Sequence, residues 1–161
     1  MTPPELLRDD HQIDGFDSGE PSLDQWLKQR ARANQSTGAT RTYVTCDDAR
    51  VVGYYALASG AIAQSVASGK VRRNMPDPIP VVLLARLAVD RNYQARGLGR
   101  ALFRDAALRV VHAADSIGIR GIVVHAISEN ARQFYLALGF EPCPSESMTL
   151  VVTLRDLRAA L

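Results

Sequence analysis

The chain has 161 residues, 47% hydrophobic and 22% charged, with a formal net charge of +2. That balance fits one globular domain, residues 1–161, able to bury a sizeable core, and it excludes a disordered or low-complexity chain. The opening residues lack the apolar centre of a secretory signal and no run reaches the length of a membrane span, so a cytoplasmic protein is expected. Arginine outnumbers lysine 17 to 2, and Cys46, beside a turn, and Cys143, in what reads as a Pro-flanked loop, show neither metal nor redox spacing.

In chain order, Pro21-Ser22-Leu23-Asp24-Gln25 reads as a capping box opening a helix to about Gln35, with Leu23, Trp26 and Leu27 at helical spacing. The β-rich runs RTYVTC and VVGYYALASGAIA flank the polar turn Asp47–Arg50 and predict an antiparallel hairpin. Residues 64–80 carry Pro76, Pro78 and Pro80 and read as a loop, in which Lys70, Arg72 and Arg73 form a basic cluster. The run Pro80–Asp90 reads as a buried strand, Gln94–Gly99 as a glycine turn, and the following RALFRDAALRVV as a helix. After Gly118-Ile119-Arg120-Gly121 comes the strand pattern IVVHAI. Ser128 then caps a short helix, ARQFYLAL, stopped at Gly139, and SMTLVVTL forms a last strand before RDLRAAL. The expected fold is α/β of the mixed α+β kind: a mixed sheet with helices covering it.

The turn carries the first chemical signal. The leading N–H groups of a helix have no internal partner, the macrodipole is positive there, and glycine lets a phosphate approach the backbone. A dinucleotide site would need a third glycine where Leu102 stands, and no Gly-Lys-Ser/Thr exists for a nucleotide-triphosphate loop. Arg96, Arg100 and Arg104 recur at four-residue intervals on the same helix and read as phosphate ligands or as a solvated face. A phosphate-bearing cofactor is the reading.

The succession of LARLAVD, Gln94-x-x-Gly97-x-Gly99, IVVHAI, Asn130-Ala-Arg-Gln-Phe134-Tyr135 and Leu138-Gly139-Phe140 resembles the GNAT acyl-CoA N-acyltransferases. Together with LDQWL at Leu23–Leu27 and VGYYAL at Val52–Leu57, it is similar more narrowly to the GNAT toxins of type II toxin–antitoxin systems, the group containing TacT, KacT and AtaT. The resemblance spans nearly the whole chain and implies the GNAT fold, with a splayed parallel strand pair. It implies an acetyltransferase that moves acetyl from acetyl-CoA to the α-amino group of aminoacyl-tRNA and blocks translation. Pantetheine would pair with Leu87, Ala88 and Val89, and the diphosphate would sit on Gln94, Ala95, Arg96, Gly97, Leu98, Gly99 and Arg100, with Asn130 and Phe134 completing the cofactor site. No metal is implied. The implied partners are a ribbon-helix-helix antitoxin, operator DNA through the toxin–antitoxin complex only, and a second copy in a homodimer.

Tyr135 is the implied catalytic acid. A phenol with a pKa of about 10 can protonate a leaving thiolate whose thiol resembles cysteine, at about 8.5. Alone, Tyr135 would read as packing beside Phe134 and Phe140. The strand Leu84–Ala88 offers no carboxylate before Asp90 to serve as base. That suits an α-amine of pKa about 7.7–8.0, of which some tens of per cent is already neutral near neutral pH, better than a lysine at about 10.4. Glu129 and His125 are the candidate bases, with a packed role for His125 the plainer reading. Arg86 interrupts its apolar strand and reads as a structural ion pair, with tRNA phosphate as the alternative. Lys70, Arg72 and Arg73 are the stronger RNA candidates. Competing with the toxin reading are a GNAT enzyme acetylating a protein or small-molecule amine, and a non-catalytic CoA-binding regulatory module.

Overall fold

The computed structural model describes all residues, Met1–Leu161. Seven strands, β1 (Glu5–Leu6), β2 (Arg41–Asp47), β3 (Arg50–Ile62), β4 (Ile79–Val89), β5 (Gly121–His125), β6 (Glu141–Cys143) and β7 (Glu146–Thr153), form one sheet in the order β1-β2-β3-β4-β5-β7-β6. Six helices accompany them: α1 (Pro21–Gln29), α2 (Ala31–Thr37), α3 (Gly69–Arg72), α4 (Leu98–Ala113), α5 (Glu129–Ala137) and α6 (Leu154–Ala160). No helix is long and apolar enough to cross a membrane.

The sheet is mixed. β1/β2, β2/β3, β5/β7 and β6/β7 pair antiparallel, and β4/β5 pair parallel. The parallel register is confined to Val82↔Ile122 and Leu83↔Val123, whereas β4 continues to Val89 and β5 to His125. The hairpin expected from RTYVTC and VVGYYALASGAIA is β2–β3, turned at Asp48, whose φ is 55°.

The residues group into two compact units. The first comprises Met1–Ala58 and Ala85–Ala106. Its core joins Phe16, Leu23, Leu27, Val44, Val51, Tyr54 and Ala88, with Trp26 packed against it. Gly53 permits a close approach here, since a Cβ at that position would lie 3.0 Å from Leu102 Cδ1 and 3.1 Å from Thr45 Cγ2. The second unit comprises Ser59–Leu84 and Ala107–Leu161, and its core joins Ile62, Val71, Ile79, Val81, Val123, Cys143 and Val151.

Four local expectations are corrected. The first helix begins at Pro21, with Glu20 at the N-cap and no side-chain cap bond, so Ser22 lies inside the first turn. Proline already lacks the N–H that a cap would satisfy, and Asp24 instead reaches back to accept from the Ser18 hydroxyl at 2.6 Å and its N–H at 3.0 Å. The helix also breaks at Arg30, and α2 runs on to Thr37, closed by left-handed Gly38. Residues 64–80 are not loop throughout: Ser68 caps α3, and β4 opens at Ile79. Cys143, read as lying in a loop, is buried at the end of β6.

Candidate active site

Within the first unit, β4 leads through Asp90 and a single 3-10 turn, Arg91–Tyr93, into the glycine turn and α4. Asp90 is buried; its carboxylate accepts from the N–H of Asn92 at 3.0 Å and from that of Asp17 at 3.2 Å, fixing the strand exit. The Gln94 side-chain amide donates to the carbonyls of Val89 at 2.9 Å and Ser18 at 2.8 Å. Its role is thus to clamp the turn onto the strand end.

Ala95 and Gly97 both take positive φ, 62° and 80°, and a Cβ at Gly97 would meet nothing within 4 Å. Ala101 donates to Gly97 at 3.1 Å, so the amides of Leu98, Gly99 and Arg100 lie ahead of the first helical bond. A left-handed turn, open space and unpaired amides at the positive end of a helix of 16 residues fit a diphosphate. Arg96 lies over the Tyr93 ring, 5.4 Å from its centroid, and Arg50 lies 5.8 Å from the same centroid. The Tyr93 hydroxyl donates to Asp47. The guanidinium of Arg96 is thereby carried at the turn, and Arg100 is exposed.

Arg86 has found an aromatic partner. Its guanidinium stands 5.2 Å from the centroid of Trp26, donates to the Ala85 carbonyl at 2.7 Å, and Trp26 stacks on Tyr54 at 6.0 Å and 7°. The expected ion pair is replaced by this cation–π contact, which lets a half-buried cation remain in an apolar strand without a carboxylate.

In the second unit, Ser128 caps α5 by accepting from the Ala131 N–H at 3.1 Å, which sets Asn130 in the exposed first turn and Tyr135 on the inner face. Tyr135 is 6% exposed, edge-on to Phe134 at 5.2 Å and Phe140 at 5.4 Å. Burial pushes its phenol well above the ordinary tyrosine range. The hydroxyl is therefore held protonated, the state an acid needs. Glu129 lies on the same helix, held below the usual carboxylate range by hydrogen bonds from Gln133 and the charge of Arg132; that environment disfavours proton uptake.

The basic cluster is partly spent on the fold. Lys70 forms ion pairs with Asp156 and Glu141, while Arg120 donates to the Lys70 and Val71 carbonyls at 2.7 and 2.9 Å and holds α3 in place. Arg72 and Arg73 are exposed. His125, at the end of β5, engages Thr149, a partner on a different strand that no local spacing could reveal.

Comparison with known proteins bears on the family of the chain. Residues 38–142 match the Acetyltransferase (GNAT) domain family. A tRNA-acetylating toxin of Mycobacterium tuberculosis is 54% identical over 158 residues, covering 98% of this chain and 95% of the relative. A probable toxin TacT of Sinorhizobium fredii is 25% identical over 94% of this chain and 90% of its own length. Among solved structures, a tyrosine-to-phenylalanine mutant of KacT superimposes with a TM-score of 0.90 at 28% identity, over 98% of both chains. AtaT complexed with acetyl-methionyl-tRNAfMet gives 0.88 at 29% identity, over 97% of this chain and 96% of that one. A family model that spans residues 38–142 and a relative 54% identical along 98% of the chain lead to one conclusion: the chain belongs to the GNAT acetyltransferase family.

Proposed function

We propose that the protein is a toxin that transfers acetyl from acetyl-CoA to the α-amino group of an aminoacyl-tRNA and so arrests translation. The observation that carries this reading is the 54% identity, along 98% of the chain, to a tRNA-acetylating toxin. A second support is chemical: β4 presents no carboxylate between Leu84 and Val89, as suits an acceptor amine that is partly neutral without help.

Acetyl-CoA, when bound, supplies an acetyl thioester open to attack by an amine. The backbone of Leu87, Ala88 and Val89 would hold the pantetheine arm, and the amides from Ala95 to Arg100, with the Arg96 and Arg100 guanidiniums, would hold the diphosphate. Gln94 keeps that turn in shape through its bonds to Val89 and Ser18. Asn130 and Phe134 would border the cofactor from α5. Tyr135 keeps a proton on its hydroxyl oxygen and delivers it to the departing sulfur. No residue is assigned to a metal.

AtaT has been solved bound to its antitoxin AtaR, and KacTA and AtaT–AtaR with DNA. By the same reading this chain is neutralised by a cognate ribbon-helix-helix antitoxin, touches operator DNA through that complex, acts in the cytoplasm where charged tRNA is found, and forms a homodimer. Arg72 and Arg73 are the tRNA phosphate contacts this reading favours, with Arg86 available from β4 and Lys70 held in reserve by its ion pairs.

The test is transfer of labelled acetyl to charged tRNA, with uncharged tRNA and a lysine peptide as controls. Label on charged tRNA alone is expected. Label on the peptide instead would make the protein an ordinary amine acetyltransferase, and binding of acetyl-CoA without transfer would make it a regulatory module.

A further inference from the structure

The second unit holds a pocket of about 250 Å³. Ile62, Val66, Leu83 and Val123 make it apolar on one side, and His125, Glu146 and Thr149 make it polar on the other. The acetyl-CoA assignment uses none of them. The volume falls below the roughly 300–1,000 Å³ of sites for drug-sized ligands, so it suits a single side chain and its polar group better than a nucleotide.

The polar end has a direction. Thr149 is buried and its hydroxyl carries one proton, which it donates to Glu146 Oε2 at 3.3 Å. The same hydroxyl oxygen then accepts from His125 Nδ1 at 3.0 Å. With its proton on Nδ1, the imidazole turns Nε2 outward as a bare acceptor, and His125 is exposed at the strand end. Carboxylate, hydroxyl and imidazole thus form a chain that orients a base.

We propose that this pocket receives the aminoacyl end of the acceptor, its side chain against Leu83 and Val123 and its α-amino group at Nε2 of His125. The proposal rests on the aminoacyl-tRNA reading above. As the N–C bond forms and the C–S bond breaks, the proton shed by the nitrogen passes to Nε2, and the Tyr135 proton goes to sulfur. Solvent then restores both groups. The Glu146 carboxylate favours an approaching ammonium and disfavours acidic side chains.

The experiment is single-turnover acetylation of charged tRNA by wild type, His125→Ala and Val66→Phe, with acetyl-CoA affinity measured for each. His125→Ala should lower the rate by roughly 100-fold, the usual scale for a lost base, leave acetyl-CoA affinity unchanged, and regain activity when free imidazole is added. Val66→Phe narrows the pocket without touching the relay, and should raise KM most for tRNAs charged with bulky residues. An unchanged rate in His125→Ala, or a loss that imidazole does not restore, overturns the proposal, as does a Val66→Phe variant indifferent to acceptor size. A wild type that acetylates no charged tRNA would instead defeat the parent reading.

Discussion

Two buried tyrosines define what single residues contribute. Tyr135 and Tyr54 both have phenols pushed far above the ordinary range by desolvation, and the Tyr54 hydroxyl donates to the Leu23 carbonyl at 2.7 Å. Tyr135→Phe keeps the ring and its edge contacts while removing the proton, so the fold should survive and acetyl transfer should drop by roughly 100-fold or more, the scale of a lost acid. Acetyl-CoA affinity, measured by calorimetry, should stay within a factor of about two, given that an unmade hydrogen bond is the whole of the change. Stability carries a matching signature. Above about pH 10 the unfolded chain releases tyrosine protons that the folded chain retains, so the folded state binds more protons and becomes less stable as pH rises. Denaturant midpoints should therefore fall on that alkaline limb, and Tyr135→Phe should flatten the fall. The helix that carries Tyr135 was legible because it has a local frame: Ser128 caps it and Gly139, at positive φ, follows its end. Arg86 was not, because the ring that receives it lies on α1, far back along the chain, and nothing local distinguishes a carboxylate partner from an indole.

At the scale of elements, periodicity shows where burial is one-sided and continuous. β2, β3, β4 and α4 follow from alternating or helical apolar patterns longer than a turn. α3 and β6 do not, since four and three residues cannot display a period, and both are held by distant groups. For α3 these groups are Arg120 on its carbonyls and Asp156 on Lys70. The Lys70 ammonium holds the Asp156 carboxyl below the usual carboxylate range. A depressed carboxylate stabilises the fold above its unfolded pKa and loses that contribution as pH falls through the folded value. Asp156→Asn should thus lower the melting temperature at neutral pH, and the gap to wild type should close in strong acid. Strand packing gives a sharper case at Gly121, where an added Cβ would overlap the Val152 carbonyl oxygen. Since the obstacle is backbone paired across β5 and β7, the overlap cannot be relieved by a rotamer. Gly121→Ala should cost about 1–3 kcal/mol, as overpacking does, or several degrees of melting temperature in thermal unfolding.

For the whole molecule, a net charge of +2 understates its capacity to meet a polyanion, because 19 cationic side chains are offset by 17 acidic ones whose positions matter more than their sum. Asp156 and Glu141 engage Lys70, Asp17 meets Arg91 at 3.1 Å, and Glu5 and Asp10 hold Arg8. Such pairs keep those cations near their own anions, whereas Arg72 and Arg73 stand exposed at the end of α3. Sequence displays every arginine environment alike, as one letter, and only the folded chain separates paired cations from presented ones. If tRNA is the substrate, each phosphate contact releases condensed counterions, so the KM for charged tRNA should rise steeply with salt while acetyl-CoA affinity changes less. Charge reversal at Arg72 and Arg73 should reduce the slope of log KM against log salt by about one for each phosphate no longer neutralised, whereas Lys70→Gln should leave that slope unchanged and act on stability alone. Equal slopes in all three proteins would move the RNA interface away from α3 and leave Arg86, beside Trp26, as the cation to test next.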